Sequence, residues 1–256
     1  MTDIRLLTAG ADPRASRSDR RHADLARGIA GRGAIFIAGM FSLSLVGCAS
    51  TTGHGGSNAE EAHTNGVRYA LNQLRQLPTA EQSPPEAVRL TREYCASIAM
   101  DCGNVPMPPS RVDALVVVRG MVGSSTLKEH AVELLGALRG APTLREFEAR
   151  ATRIERKADR FLASEERERF ADFAAIARGS ARLWAPVGQG GRGGRGITLP
   201  ATTGSARKDI NWKEVAAADA AGCLAGIEFG PPGCVAGAIA FSVADIIHQL
   251  LASGPS

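Results

Sequence analysis

The stretch "NWKEVAAADAAGCLAGIEFGPPGCVAGAIAFSVADIIHQLLASG", residues 211–254, is the most distinctive part of the chain. Gly222, Gly226 and Gly230 stand four residues apart, as do Gly233 and Gly237, and Ala217, Ala218, Ala221 and Ala225 fill much of the space between. A helix returns to the same face every three to four residues, so this spacing lines single faces with small residues. Two such faces let helix backbones approach closely, although each glycine costs about 1 kcal/mol of helix propensity. The "GPPG" at 230–233 reads as the turn, so residues 211–256 are expected to form a small-residue helical hairpin. Glu228 and the proline pair interrupt the apolar run. Asp219 and Asp245 cut it to about a dozen residues, short of the roughly 20 that an ordinary span needs.

Upstream the pattern is also helical. The 256-residue chain is 44% hydrophobic, enough for a core, but only 5% aromatic, and it lacks long period-two runs of β-branched residues. A mainly α fold follows: a bundle of about five to six helices plus the C-terminal hairpin. "VRYALNQLRQL" puts Val67, Ala70, Leu71, Leu74 and Leu77 on one stripe that Pro78 stops. "SPPEAVRLTREYCASIAM" follows, with Pro85 in the first turn and Gly103 at the exit. "SRVDALVVVRGMVGS" is the most apolar of the series and is expected to be the most central. "TLKEHAVELLGALRG" and "TLREFEARATRIERKADRFLA" open with Thr126/Glu129 and Thr143/Glu146 in capping-box spacing. The latter carries an apolar stripe of Leu144, Phe147, Ala151, Ile154, Ala158 and Phe161. "SEERERFADFAAIARGSARLW" starts at a Ser164 cap and carries Phe170, Phe173, Ile176 and Trp184; a short turn near Ser164 pairs these last two helices antiparallel. Their dense Glu and Arg content reads as a solvated face with pairs such as Glu146–Arg150.

Composition divides the chain. Residues 49–66, "ASTTGHGGSNAEEAHTNG", have no periodicity and read as a flexible tether, with His54 and His63 as solvated residues of it. Residues 187–210 are Gly-rich and basic and read as a linker. The expected organisation is an N-terminal segment 1–47, a tether 48–66, a helical domain 67–186, the linker, and a separate hairpin module 211–256.

The N-terminal segment looks like an export signal. Arg20, Arg21, Arg27 and Arg32 precede the apolar run "AIFIAGMFSLSLV" from Ala34 to Val46, which suits a signal h-region and is too short for an ordinary transmembrane helix. Leu45-Val46-Gly47-Cys48 then resembles the lipobox of bacterial lipoproteins. That resemblance implies cleavage before Cys48, a diacylglycerol on its thiol and an acylated new N-terminus. Ala49 in place of Asp after the cysteine implies the outer membrane. Three acyl chains, at about 0.8 kcal/mol per buried methylene, would make attachment permanent. The net charge changes meaning as well. Residues 1–47 hold seven Arg and four Asp, leaving 23 basic and 22 acidic residues for the rest of the chain, so the expected mature protein is near neutral. A nucleic-acid partner, which would call for a basic face, is not expected.

Lipidation of Cys48 would remove the odd member of five cysteines. The others form two local sets, Cys95 with Cys102 and Cys223 with Cys234, and an oxidising compartment permits two bridges. Geometry argues against assuming either. A continuous helix would separate Cys95 from Cys102 by roughly 10 Å, so their bridge requires the helix to end near Met100. A hairpin turning at Pro231 and Pro232 would set Cys234 opposite Phe229.

No G-x-S-x-G, H-E-x-x-H or P-loop pattern occurs. Glu129, His130 and Glu133 share a helix, but a helical carboxylate metal site needs that unit twice, and His130 reads as a boundary residue. No catalytic residue, metal or cofactor is expected. The reading is a lipid-anchored cell-envelope protein that acts by binding or structural interaction, with the membrane and an envelope protein as partners. The alternative is a membrane-active, pore-forming protein working through the hairpin at Gly222, Gly226, Gly230, Gly233 and Gly237, since that tail resembles bacteriocin-like peptides. The mature part as a whole resembles uncharacterised secreted bacterial proteins.

Overall fold

A computed structural model of the protein describes residues 55–78, 81–194 and 210–252. Residues 1–47, expected to be an export signal, Cys48 and His54 lie outside the described residues. Within them the chain is mainly α and forms no strand. Eight α-helices follow one another: α1 (Gly55–Leu74), α2 (Pro84–Ser97), α3 (Ala114–Gly120), α4 (Ser125–Gly140), α5 (Leu144–Phe161), α6 (Ser164–Trp184), α7 (Trp212–Gly226) and α8 (Gly230–Leu251).

The α7–α8 hairpin is the middle of the bundle. α8 lies against α1 and α2, and α7 against α6, α3 and α4, with α5 outermost on α4 and α6. The hairpin is therefore not a module set apart from 67–186, because its side chains and those of α1–α6 share one core. Both its helices are apolar on nearly every face, and such helices are stable in water only when others surround them. Antiparallel register follows from the small residues. A Cβ added to Gly222 would meet the Gly237 carbonyl oxygen at 2.2 Å, and one on Gly226 would meet that of Gly233 at 2.0 Å. The two backbones thus touch at both pairs. The reversal is made by the 3-10 turn Ile227–Phe229 and by Gly230 at φ +72°, not by the prolines. Pro231 and Pro232 open α8, where the missing N–H has no intrahelical partner to lose.

Other segments depart from their sequence patterns for identifiable reasons. α1 starts at Gly55, so residues 55–66 are helix rather than tether. Val67, Ala70, Leu71 and Leu74 are fully buried, and Gly66 lets Ile239 of α8 come so close that a Cβ would meet it at 2.2 Å. The Gln82 amide donates to the Leu74 and Leu77 carbonyls at 3.3 and 3.2 Å, closing the end before Pro78. α3 is peripheral instead of central. Three consecutive valines cannot share one helix face, so Val118 is buried while Val116 is 61% exposed.

The caps of α4 and α6 also shift. Ser124, not Thr126, caps α4 by accepting from the Leu127 N–H at 3.1 Å. The carboxylate that completes the cap comes from α6: Glu166 accepts from the Ser124 N–H and hydroxyl, each at 2.8 Å. Thr143 does cap α5, accepting from the Glu146 N–H at 3.3 Å, and Glu146 pairs with Arg150. α6 is preceded by Ala163, with Ser164 already inside the helix. Phe161 at the end of α5 is exposed, because Leu162 in the turn takes the buried place. The charged faces of α5 and α6 meet in half-buried ion pairs: Arg178 to Glu155 at 2.7 Å, and Arg182 to Glu148 at 2.7 Å and to Glu60 of α1 at 3.1 Å. Residues 190–194, expected as linker, fold back on α6. Arg192, Gly193 and Gly194 donate to the carbonyls of Arg182, Ala185 and Leu183.

Gly226→Ala should lower stability by about 2–3 kcal/mol in denaturant titrations, overpacking outweighing the propensity gain. Gly136→Ala, where an added Cβ meets nothing within 4 Å, should raise it by about 1 kcal/mol.

Candidate functional site

Two polar features interrupt the apolar interior, one sealed and one open. The sealed one joins three helices. Asp219 of α7 accepts the Ser180 hydroxyl from α6 and sits 3.2 Å from Nε2 of His63 on α1, all three fully buried. His63 is therefore not a solvated tether residue. Helix α1 extends far enough back to carry it into the core. The residue types invite comparison with a Ser-His-Asp triad, but there the imidazole stands between hydroxyl and carboxylate, within reach of substrate. Here the carboxylate stands in the middle and all three groups are sealed, so the arrangement clasps α1, α6 and α7 together. Only its long-range geometry could reveal this, since the three residues are far apart in the chain and follow no motif.

The open feature lies where α7 begins and α8 ends. The segment 111–115, the last turn of α4, the first turn of α7 and the last turns of α8 enclose a groove of about 810 Å³. Its walls are cross-tied by polar groups. Arg139 donates to Glu214 at 3.1 Å, and the Lys213 ammonium donates to the Arg139 carbonyl at 3.1 Å. The Gln249 amide oxygen accepts from the Asn211 N–H at 2.8 Å, and its NH2 donates to Asp245 at 2.7 Å. Asp113 caps α3 by accepting from Leu115 and Val116. Asp245 is only 7% exposed, and no Lys or Arg among the described residues pairs with it. Burial pushes its carboxyl up from the ordinary 3.8 to about 6, against the Gln249 hydrogen bond that lowers it, and the negative Asp219 and Glu214 add to the rise. Nothing in the sequence marked Asp245 as more than an interruption of an apolar run; its neighbours converge only in the fold.

The residues singled out from sequence fall elsewhere. Cys95 and Cys102 are bridged, with Cα atoms 6.1 Å apart, because α2 ends at Ser97 and the chain turns at Ala99, which has φ +52°. Cys223 and Cys234 are bridged as well. The reversal at Ile227–Gly230 sets them opposite each other, which a turn centred on the prolines would not. Both bridges lie toward the hairpin's turn, away from the groove. Gly222, Gly226, Gly233 and Gly237 form the helix contact, while Gly230 serves the turn. His130 is buried, its ring edge-on to Phe170 at 6.0 Å, and Nδ1 is 3.7 Å from Glu133, which Lys157 also engages at 3.0 Å. Among the described residues no three His, Cys, Asp or Glu side chains gather as a metal would require. No known protein family, curated protein or solved structure matches the chain.

Asp219→Ala should cost about 3 kcal/mol in denaturant titrations, because it leaves a buried imidazole and hydroxyl unpaired. Asp245 gives a pH signature of defined sign. Its folded pKa is raised, so ionising it costs stability, from nothing below about pH 4 to a full penalty above about pH 6. Asp245→Asn should therefore match the parent at low pH and exceed it by about 3 kcal/mol above that window, read from melting at a series of pH values.

Proposed function

We propose that the protein is exported, lipidated on Cys48 and held at the outer membrane of a bacterial envelope, where it works by binding rather than by catalysis. The observation that carries the address is the pairing of the other four cysteines. Two disulfides belong to an oxidising compartment, and they leave Cys48 as the single unpaired thiol, at the end of an apolar run and inside Leu45-Val46-Gly47-Cys48. Lipid on that thiol accounts for the odd cysteine. It also requires a chain that tolerates fixed attachment close to its first helix, and α1 begins only a few residues later, at Gly55. What supports a binding role is the open polar groove with its buried carboxylate, in a fold whose other polar cluster is sealed.

One observation favours a second reading, in which the protein is membrane-active. The stretch Trp212–Leu251 is long and apolar enough to cross a membrane by length and composition, and α8 alone would span about 33 Å. Yet 83% of its most apolar window is buried inside the bundle, and serving as the core is sufficient reason for that composition.

Cys48→Ser should move the protein from the membrane to the soluble fraction of the cell envelope; unchanged processing and fractionation would sink the lipid anchor. The same full-length variant, added to dye-loaded vesicles of phosphatidylethanolamine and phosphatidylglycerol, should release no dye. Release would favour the membrane-active reading.

A further inference from the structure

The groove at the open end of the bundle contains a buried carboxylate that no Lys or Arg among the described residues pairs with. Asp245 borders it from α8 while more than nine-tenths buried, and among the described residues its hydrogen-bond partner is the neutral Gln249 amide. The cations nearby are committed or peripheral. Arg139 is engaged by Glu214, and Arg111 stands exposed at the rim. His248 acts electrostatically to favour the ionised form, while Glu214 and Asp219 of α7 both press negative potential on the same carboxylate. Asp113, on the facing segment, is occupied with the start of α3. A carboxylate held this way destabilises the folded chain whenever it is ionised, and an isosteric amide would avoid the cost. A buried carboxylate bordering a cleft, with its ionisation disfavoured, is a candidate ligand-binding group. The volume of about 810 Å³ falls within the range of small-molecule sites.

We propose that this groove binds a small molecule or chain end through a protonated amine, whose ammonium group donates to Asp245. The inference rests on the reading of the protein as a binding protein and names the chemistry that is bound. An ammonium supplies three donors and the positive charge, and the Glu214 carboxylate, itself engaged by Arg139, lines the same groove. An anion would instead meet the carboxylates of Asp245 and Glu214.

Three amines separate the sources of that chemistry: spermidine for a polyamine, glucosamine for an amino sugar, and alanyl-alanine amide for a peptide amino terminus. Calorimetric titration of the full-length Cys48→Ser protein at about pH 7 should show saturable binding of at least one of them. The N-acetylated counterpart, which keeps the shape and loses the charge, should bind at least about tenfold more weakly. Asp245→Asn should lose a similar factor while melting no lower than its parent. Affinity should also fall as pH drops below about 6, where Asp245 takes up its proton. No binding by any of the three amines, equal binding of the acetylated forms, or full affinity in Asp245→Asn would each overturn the proposal. The acetylated comparison needs no variant at Asp245. Fractionation of Cys48→Ser reports on the anchor independently, so failure of one does not entail failure of the other.

Discussion

The backbone contact between α7 and α8 sets the terms for the rest of the molecule. At Gly222 against Gly237 and Gly226 against Gly233 there is no room for even a methyl group. Helices this close bury almost all of their own surface against each other and against what surrounds them. Their outward faces then consist of Ala, Val, Ile and Leu, which must be covered. α1, α2, α3, α4 and α6 supply that cover, and α5 completes the sheath. The Cys223–Cys234 bridge joins the two helices near the turn, so the hairpin enters the core as a single cross-linked element.

An interior built this way has little tolerance for polar groups, and those it contains are informative. Asp219 sits in the fully buried part of α7 and is matched by a hydroxyl from α6 and an imidazole from α1, three helices tied at one point. Asp245, on the other arm, reaches the end of the bundle where the sheath opens. It accepts a hydrogen bond from Gln249, and no Lys or Arg among the described residues pairs with it. The two carboxylates interrupt the same apolar stretch in sequence, yet one is paired within the fold and the other faces a groove. Their surroundings differ: the Asp219 carboxylate is enclosed against Ser180 and His63, while Asp245 borders the groove.

The Glu and Arg residues of α5 and α6 show how a surface pattern becomes structural. Pairs four residues apart, such as Glu146 with Arg150, do form within a helix. The half-buried pairs are between helices: Arg178 with Glu155, and Arg182 with both Glu148 and Glu60. Spacing along one helix predicts the first kind, because its geometry is fixed at 3.6 residues per turn. The second kind depends on which helices become neighbours. The cap of α4 follows the same rule, since the carboxylate on Ser124 comes from Glu166, 42 residues away.

By itself the sequence determined the helices and their buried stripes, from periodicity and Pro and Gly stops, along with the Thr143 cap and the small-residue faces of 211–256. These are local properties, written at spacings of three and four residues. Only the tertiary structure decided that the hairpin is the core and not an appended module, that α3 lies outside it, that His63 belongs to the interior, and that the chain turns before Pro231. Each of those depends on which distant segments compete for the same buried surface, and close backbone contact gives the glycine faces first claim to it. The groove at Asp245 is the furthest from legibility, because its walls come from four separate parts of the chain and its distinguishing property, a buried carboxylate at its edge, exists only once they have met.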